Sequence, residues 1–386
     1  MSGQNQAATS PASPGTPAGA EVFTWLQIMR SRRIGPRTFH RLRAEHDSAA
    51  SALAALPQIA AAAGVNDYAP CPVDVVKREC AAARVAGARL LFIADPRYPS
   101  ALRDLPDAPP FLWAQGDLSL LTRPAIALVG ARNASALGRR TASAMAQELG
   151  AAGHVVVSGL ARGIDAAAHR AALDSGTIAV VAGGVDIDYP AENANLAADI
   201  RTRGLILSEQ PMGMHPRARH FPARNRLISG LGAAVVVVEA AAKSGSLITA
   251  ENALAQGREV LVVPGHPFDG RAAGCNMLIR DGATLVRSGE DVIEALQNPL
   301  APASAIAPDP DPNPKGRALP EVPSTTARDL AQLHRKILSH LGPSPIAEDQ
   351  LLRDLNLPTR EVTAALVDME LNGQIARRAG GLLSRN

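Results

Sequence analysis

Residues 154–184 read HVVVSGLARGIDAAAHRAALDSGTIAVVAGG. Two short runs of Val, Ile and Ala, 154–159 and 177–184, flank an alanine-rich stretch with helical spacing. Apolar runs this short, each ending in glycine, fit strands covered on both faces, and the segment between them is long enough for one crossover helix. The unit repeats through AIALVG (125–130), LILSEQ (205–210), AVVVVEA (234–240), EVLVVPG (259–265) and ATLVRS (283–288), with helical patterns such as SGSLITAENALAQG in between. Continuous apolar strands alternating with helices predict an α/β fold, a doubly wound parallel sheet with helices on both faces. ARLLFIAD (88–95) and PFLWAQG (110–116) are further strands able to extend it, so the core is expected over 86–298.

Composition shifts on either side. Residues 1–20 are rich in Ala, Ser, Pro, Gly and Gln and are expected to be a disordered tail. Residues 21–85 are helical in pattern, with two helices joined through Ile34-Gly35-Pro36 in the manner of a helix-hairpin-helix; Arg33 stands where such a hairpin carries its first glycine, and a packing or partner-binding domain fits the same pattern. Residues 299–324 form a Pro-rich linker. Over 325–386, three helical patterns (326–341, 347–355, 359–372) precede two strand-like pieces around Gly380-Gly381, which is a winged-helix plan. Its third helix sets Arg360 against Glu361, Asp368 and Glu370, a balance that repels phosphate, so a partner-binding or spacing role is expected.

Hydrophobic residues make up 46% of the 386 positions, which fits a globular chain with a sizeable core. No apolar run reaches the roughly 18 residues a membrane span needs, and no basic segment followed by an apolar one opens the chain. Cys71, Cys80 and Cys275 have no metal or redox spacing and leave one unpaired, so a reducing cytoplasm is expected. A net charge of +3 is too small to demand a nucleic acid, and the positions of the arginines carry the information instead. Aromatics are only 3% of the chain, so any base-stacking surface is small.

Doubly wound sheets bind ligands at the carboxyl ends of their strands. The first such end is Gly130-Ala131-Arg132, where the glycine allows close approach and Ser135 can cap the next helix. A dinucleotide fingerprint needs a second glycine where Arg132 stands, so NAD is disfavoured and a sugar-phosphate chain gripped by the guanidinium is favoured. The next end brings Ser158, Gly159 and Arg162 toward an anion, while Asp165 and His169, four apart on one helix, are expected to pair and hold the turn. No G-x-S-x-G elbow precedes Ser158, which argues against a hydrolytic triad. HPRARHFPARNRLISGL (215–231) gathers Arg217, Arg219, His220, Arg224 and Arg226 around Phe221, the cations for phosphates and the ring for a base. Glu239 ends another strand and can orient Arg224 or Arg226; Lys243-Ser244-Gly245-Ser246 after it forms a second anion nest.

Taken in order, GARNASALG, SGLARGIDAAAH, YPAEN, SEQPMG, FPARNRLISGL, VVVVEAAAKSGSLITAENALAQGREV, VPG and GCNMLIRDGA resemble the DNA-processing protein A (DprA/Smf) family. The resemblance is strongest over about 90–290 and takes in the lead-in YPSALRDLPDAPPFLWAQGD. It implies a Rossmann-like core between an N-terminal SAM/helix-hairpin-helix-like domain and a C-terminal winged helix. It also implies a non-enzymatic cytoplasmic protein, without cofactor, that protects incoming single-stranded DNA during natural transformation and loads the RecA recombinase. Dimerisation through the core is part of the same expectation. Carried over by position, the strand-gripping residues include Arg132, Ser158, Gly159, Arg162, Phe221, Arg224, Asn225, Lys243 and Ser244. The rival reading is an enzyme that hydrolyses nucleoside-monophosphate glycosidic bonds through Glu239, whose relatives carry PGG-x-G-T where this chain has KSGSLIT; a nucleotide sensor is a third.

Overall fold

A computed structural model of the chain describes residues 19–297 and, beyond them, 327–341, 346–347, 374–378, 382–385 and single positions between 351 and 372. The chain divides into two compact units, before and after residue 303. Of the expected tail only Gly19 and Ala20 are described, and the linker 299–324 lies outside the described residues.

The first unit opens with α1 (Gly19–Arg30), α2 (Pro36–Glu45), α3 (Ala49–Ala62) and α4 (Val73–Val85). Next come β1 (Arg89–Phe92), the single-turn α5 (Ser100–Arg103), β2 (Phe111–Gly116), β3 (Ala125–Val129), α6 (Ala136–Ala151) and β4 (Val155–Ser158). They are followed by α7 (Ile164–Ala171), β5 (Thr177–Val180), α8 (Ala194–Arg203), β6 (Leu205–Ser208), α9 (His220–Leu231) and β7 (Ala234–Val237). The unit ends with α10 (Gly245–Ala255), β8 (Glu259–Val262), α11 (Ala273–Arg280), β9 (Thr284–Leu285) and α12 (Gly289–Gln297).

Each apolar run read as a strand is one, and all nine join a single sheet in the order β1-β2-β6-β5-β4-β3-β7-β8-β9. β3 to β9 are parallel, whereas β1 and β2 extend one edge in antiparallel pairing. From β3 the chain builds outward to β6, then returns to the other side of β3 to lay down β7, β8 and β9. The loops after β3 and β7 therefore part in opposite directions, and a crevice opens between them.

The N-terminal helices share the sheet's core. The Phe39 ring of α2 meets Trp25, Phe92 and Phe111 edge-on at 5.2, 6.4 and 5.7 Å between centroids. Glu79 of α4, buried beneath them, accepts two bonds from Arg30 (2.8 and 2.7 Å) and one from the Trp113 indole (2.7 Å), enough donors to offset the desolvation of its charge. Arg33 itself adopts φ +65°, so the α1–α2 hairpin keeps its left-handed turn without the glycine that this conformation favours.

In the second unit, α13 (Ala327–His340) precedes β10 (Ile346–Ala347), β11 (Ile375–Arg378) and β12 (Leu382–Arg385), ordered β10-β12-β11 and antiparallel. Val362, Leu366 and Met369, spaced to share one helical face, join Ile337, Leu351 and Leu383 in a common core. This is the winged helix, with β11–β12 as its wing. Arg360, Glu361 and Asp368, on which the acidic-helix expectation rests, lie outside the described residues.

Candidate nucleic-acid interface

Two cavities open at the carboxyl ends of the strands. The larger, about 530 Å³, lies at the switch point and is lined by Gly130, Arg132, Asn225, Lys243, Ser244 and Gly245 among others. The smaller, about 360 Å³, lies over the loops after β4 and β5 and takes in Gly159 and Arg162. Arg132, Ala161, Phe221 and Arg224 line both. Phe221, half-buried in the first turn of α9, stands between them, and the exposed Arg132 lays its guanidinium over the ring, Cζ 5.2 Å from the centroid. Such a contact contributes about 0.5–1 kcal/mol at an exposed site. It holds a cation and a stacking face together at the rim.

The turn after β3 is where a dinucleotide-binding fold would seat its pyrophosphate. Here Glu239 fills that place. Its buried carboxylate accepts from the Ser135 N–H (3.0 Å) and hydroxyl (2.6 Å), and the hydroxyl oxygen accepts in turn from the Gly138 N–H (2.8 Å) at the start of α6. A side chain at Gly138 would strike the carboxylate, and a Cβ at Gly130 would lie 2.6 Å from Ile164 and 2.9 Å from the Glu239 carbonyl. Protein packing alone therefore requires glycine at 130, a position that also lines the larger cavity. Glu239 orients neither arginine expected of it: Arg226 turns away to Glu209 (2.5 Å) and Asp107 (3.4 Å).

The N-terminus of α10 is open by contrast. Ser244 caps it through the Ser246 N–H (3.4 Å), Gly245 has no neighbour where a Cβ would be, and Lys243 is exposed beside it. Arg132, Arg224, Lys243 and Arg271 line the larger cavity against a single carboxylate, Asp165.

Ser158 is not an anion ligand. It is fully buried, and its hydroxyl donates to the Leu128 carbonyl (2.7 Å). Asp165 and His169 do not pair with each other either, because the loop they support comes between them. Asp165 accepts from the Gly159 and Ala161 N–H groups (3.1 and 3.2 Å), and His169 Nε2 accepts from Leu160 N–H (3.3 Å), which fixes three consecutive residues with Leu160 at φ +55°. The Thr177 hydroxyl gives its proton to the Val156 carbonyl (2.9 Å), so His169 Nδ1 is the donor in the 2.7 Å contact with it. The imidazole is neutral; burial, aided by the Arg224 and Arg170 charges, takes its pKa down to about 3.

Arg224 is buried beneath the rim. Its Nη1 donates to the carbonyls of Gly159 (2.6 Å) and Val180, and a Cβ at position 159 would come 2.6 Å from the guanidinium, which accounts for the glycine. Burial lowers its pKa to about 10 against the pull of Asp165, whose own carboxyl burial raises. Arg224 therefore braces the site more than it grips a ligand. Asn225 ties α9 to the Gly245 carbonyl (3.3 Å). Arg217 and Arg219 are exposed but line neither cavity, and His220 is buried. Two rim residues escaped the sequence reading: Arg271, after β8, and Tyr189, after β5, whose ring lies 5.6 Å from that of Phe221. Both stand in strand-end loops, the signal that found the others.

The family model for DNA recombination-mediator protein A matches residues 89–297, that of the DprA-like N-terminal HHH domain 19–82, and that of the DprA winged helix domain 321–381. The DNA processing protein DprA of Streptococcus pneumoniae is 47% identical over 203 residues, 52% of this chain and 72% of that protein. Protein Smf of Escherichia coli is 37% identical over 292 residues, 74% of each chain. The S. pneumoniae protein's X-ray structure aligns with a TM-score of 0.55 at 36% identity, covering 71% of this chain and 92% of that one. DNA processing protein A of Helicobacter pylori, solved for its single-stranded DNA binding mode, aligns at 0.51 and 31% identity over 55% of this chain and 96% of its own. With the three family models laid in succession over helices, sheet and winged helix, the chain belongs to the DNA recombination-mediator protein A family.

Proposed function

We propose that this protein binds single-stranded DNA across the two cavities, protects incoming strands and loads the RecA recombinase onto them during transformation and recombination. It does so as a cytoplasmic homodimer that holds its ligand without chemical change. The observation that carries the reading is the Arg132–Phe221 stack at the boundary of a cation-lined cavity: cations track phosphates while the ring takes a base. Family membership and the strand-binding H. pylori relative support it. The glycosidic-hydrolysis reading assigns its carboxylate to Glu239, which lines neither cavity and is engaged by Ser135.

Titration with a single-stranded oligonucleotide, the matched duplex and nucleoside monophosphates across a salt series tests this. Four exposed cations, Arg132, Arg162, Lys243 and Arg271, line the cavities. At about 0.7 per phosphate, log affinity should fall with log salt at a slope near −3, roughly 50-fold between 50 and 200 mM. Equal affinity for duplex, or turnover of a monophosphate, overturns the reading.

A further inference from the structure

A third cavity, of about 260 Å³, lies at the opposite end of the sheet. Ala125, Ile178, Ala233 and Arg258, which line it, stand at or beside the first residues of β3, β5, β7 and β8. The single-turn α5 and the 3₁₀ turn Leu118–Thr122 supply further wall. Sheets of this kind hold their ligands at the carboxyl ends of the strands, so the crevice does not account for a cavity at the amino ends.

Its charge is one-sided. Arg123 and Arg258 both line it, and no carboxylate does among the described residues. Backbone carbonyls hold each guanidinium in place. Arg123 donates to Ser175 (2.7 Å) and Gly153 (3.1 Å), and Arg258 Nη2 to Ala101 (3.2 Å) and Gly230 (3.4 Å). Carbonyls fix a guanidinium without cancelling its charge, and these bonds use only part of each N–H fork. Arg258 Nε is buried with no acceptor among the described residues, so an acceptor from outside the chain would offset its desolvation. Asp117, a carboxylate within electrostatic reach of Arg123, is exposed, accepts from the Ser119 N–H (2.8 Å) and does not line the cavity. A Cβ at Gly176 would come 2.8 Å from Arg123 Nη1 and 2.9 Å from Leu120, so this glycine keeps the seat of the arginine open. Leu120, Ile178 and Leu231, all buried, form an apolar part of the wall, where low local polarity strengthens any ionic contact.

From this we infer that the cavity is a separate anion site, built for one compact phosphate group held by Arg123 and Arg258, with the exposed Ser100 hydroxyl in its wall. Guanidiniums suit the several oxygens of a phosphate. The volume lies below the roughly 300–1,000 Å³ of sites that enclose drug-sized ligands, so it has room for inorganic phosphate or pyrophosphate and little for a base and sugar as well. It shares no residue with either crevice cavity and does not depend on the strand-binding reading.

Calorimetric titration of the full chain with inorganic phosphate, pyrophosphate and deoxyadenosine monophosphate at constant ionic strength tests this. Because the crevice is cationic too, each titration is repeated in variants of both places. Arg258→Gln and Ser100→Asp should each weaken phosphate and pyrophosphate binding by roughly 10- to 150-fold, the range of one charge-assisted hydrogen bond. Lys243→Ala, on the crevice, should leave that binding as it was. Ser100 is exposed, so its variant keeps the test open should Arg258→Gln, which strips two carbonyls of their donor, fail to fold. The nucleotide should bind no more tightly than inorganic phosphate, and a tighter nucleotide overturns the assignment to a compact ion. Phosphate affinity that is lost in Lys243→Ala but kept in Ser100→Asp puts the anion in the crevice and overturns the site, as does absence of phosphate binding. Single-stranded DNA affinity, measured alongside, should be unchanged in Ser100→Asp whichever way the phosphate result falls, which keeps the two readings apart.

Discussion

Replacing Arg224 with alanine distinguishes a brace from a phosphate ligand. The guanidinium is buried, donates to the Gly159 and Val180 carbonyls, and has the Asp165 carboxylate as its charged neighbour. Truncation strips two buried carbonyls of their donor and Asp165 of its counter-charge. A buried polar group left unsatisfied costs about 1–3 kcal/mol, and breaking one side of a buried charge pair about 3–5 kcal/mol. The two overlap, because Asp165 takes up a proton once its neighbour is gone. The expected loss of unfolding free energy is therefore about 3–5 kcal/mol. Urea denaturation followed by tryptophan fluorescence measures it, since Trp25 and Trp113 both lie in the core that the first unit shares. Arg132→Ala is the matched control. That side chain is exposed and lies over the Phe221 face, so stability should stay within about 0.5 kcal/mol while strand affinity falls. An unmoved denaturation midpoint in Arg224→Ala, or an equal drop in Arg132→Ala, would refute the assignment of roles.

Gly159→Ala should destabilise by about 1–3 kcal/mol, because its Cβ would come 2.6 Å from the Arg224 guanidinium. Combined with Arg224→Ala the cost should be much less than additive, and strict additivity in the cycle would show that the glycine answers to something else. His169 sets an acid limb. Its folded pKa of about 3 lies below the unfolded value near 6.5, so the unfolded state binds the extra proton in that window. Stability from this group is whole above pH 6.5 and declines as pH falls toward 3, by about 2 kcal/mol at pH 5. His169→Gln should flatten the stability profile between pH 7 and 5; an unchanged slope assigns the limb to other groups.

The strands were legible because they are buried on both faces, which leaves their composition unambiguous. That same property hid the direction of Ser158. Val155 and Val157 face one core cluster and Val156 the other, so the pleat places Ser158 with Val156, under α6 and α7. With both faces apolar, no letter in HVVVSG marks which parity meets the crevice. Arg224 was readable in principle: three, four and seven positions on, Leu227, Ile228 and Leu231 are all buried, so helical periodicity puts the arginine on the apolar side of α9. Clustering of charge drew attention to it, whereas periodicity fixes where it points. The packing of α1–α4 onto β1 and β2 was not legible, because nothing in the segments that carry Phe39 and Phe111 marks one ring as the partner of the other.

Glu239 is the feature that separates the proposed strand ligand from a dinucleotide. Two helix N-termini, those of α6 and α10, flank the switch point, and either can receive an anion. The loop after β7 bends its own carboxylate across to α6, closing that end from within, while α10 keeps bare backbone at Gly245 and an exposed ammonium at Lys243. A compact pyrophosphate has no seat at the first turn. What remains is a set of cations, Lys243 and Arg271 on the larger cavity, Arg162 on the smaller and Arg132 on both. Cations spread over two adjoining cavities match an anion with repeated charges, and Phe221 and Tyr189, whose rings meet at 5.6 Å, would add stacking faces for the bases of the strand proposed above.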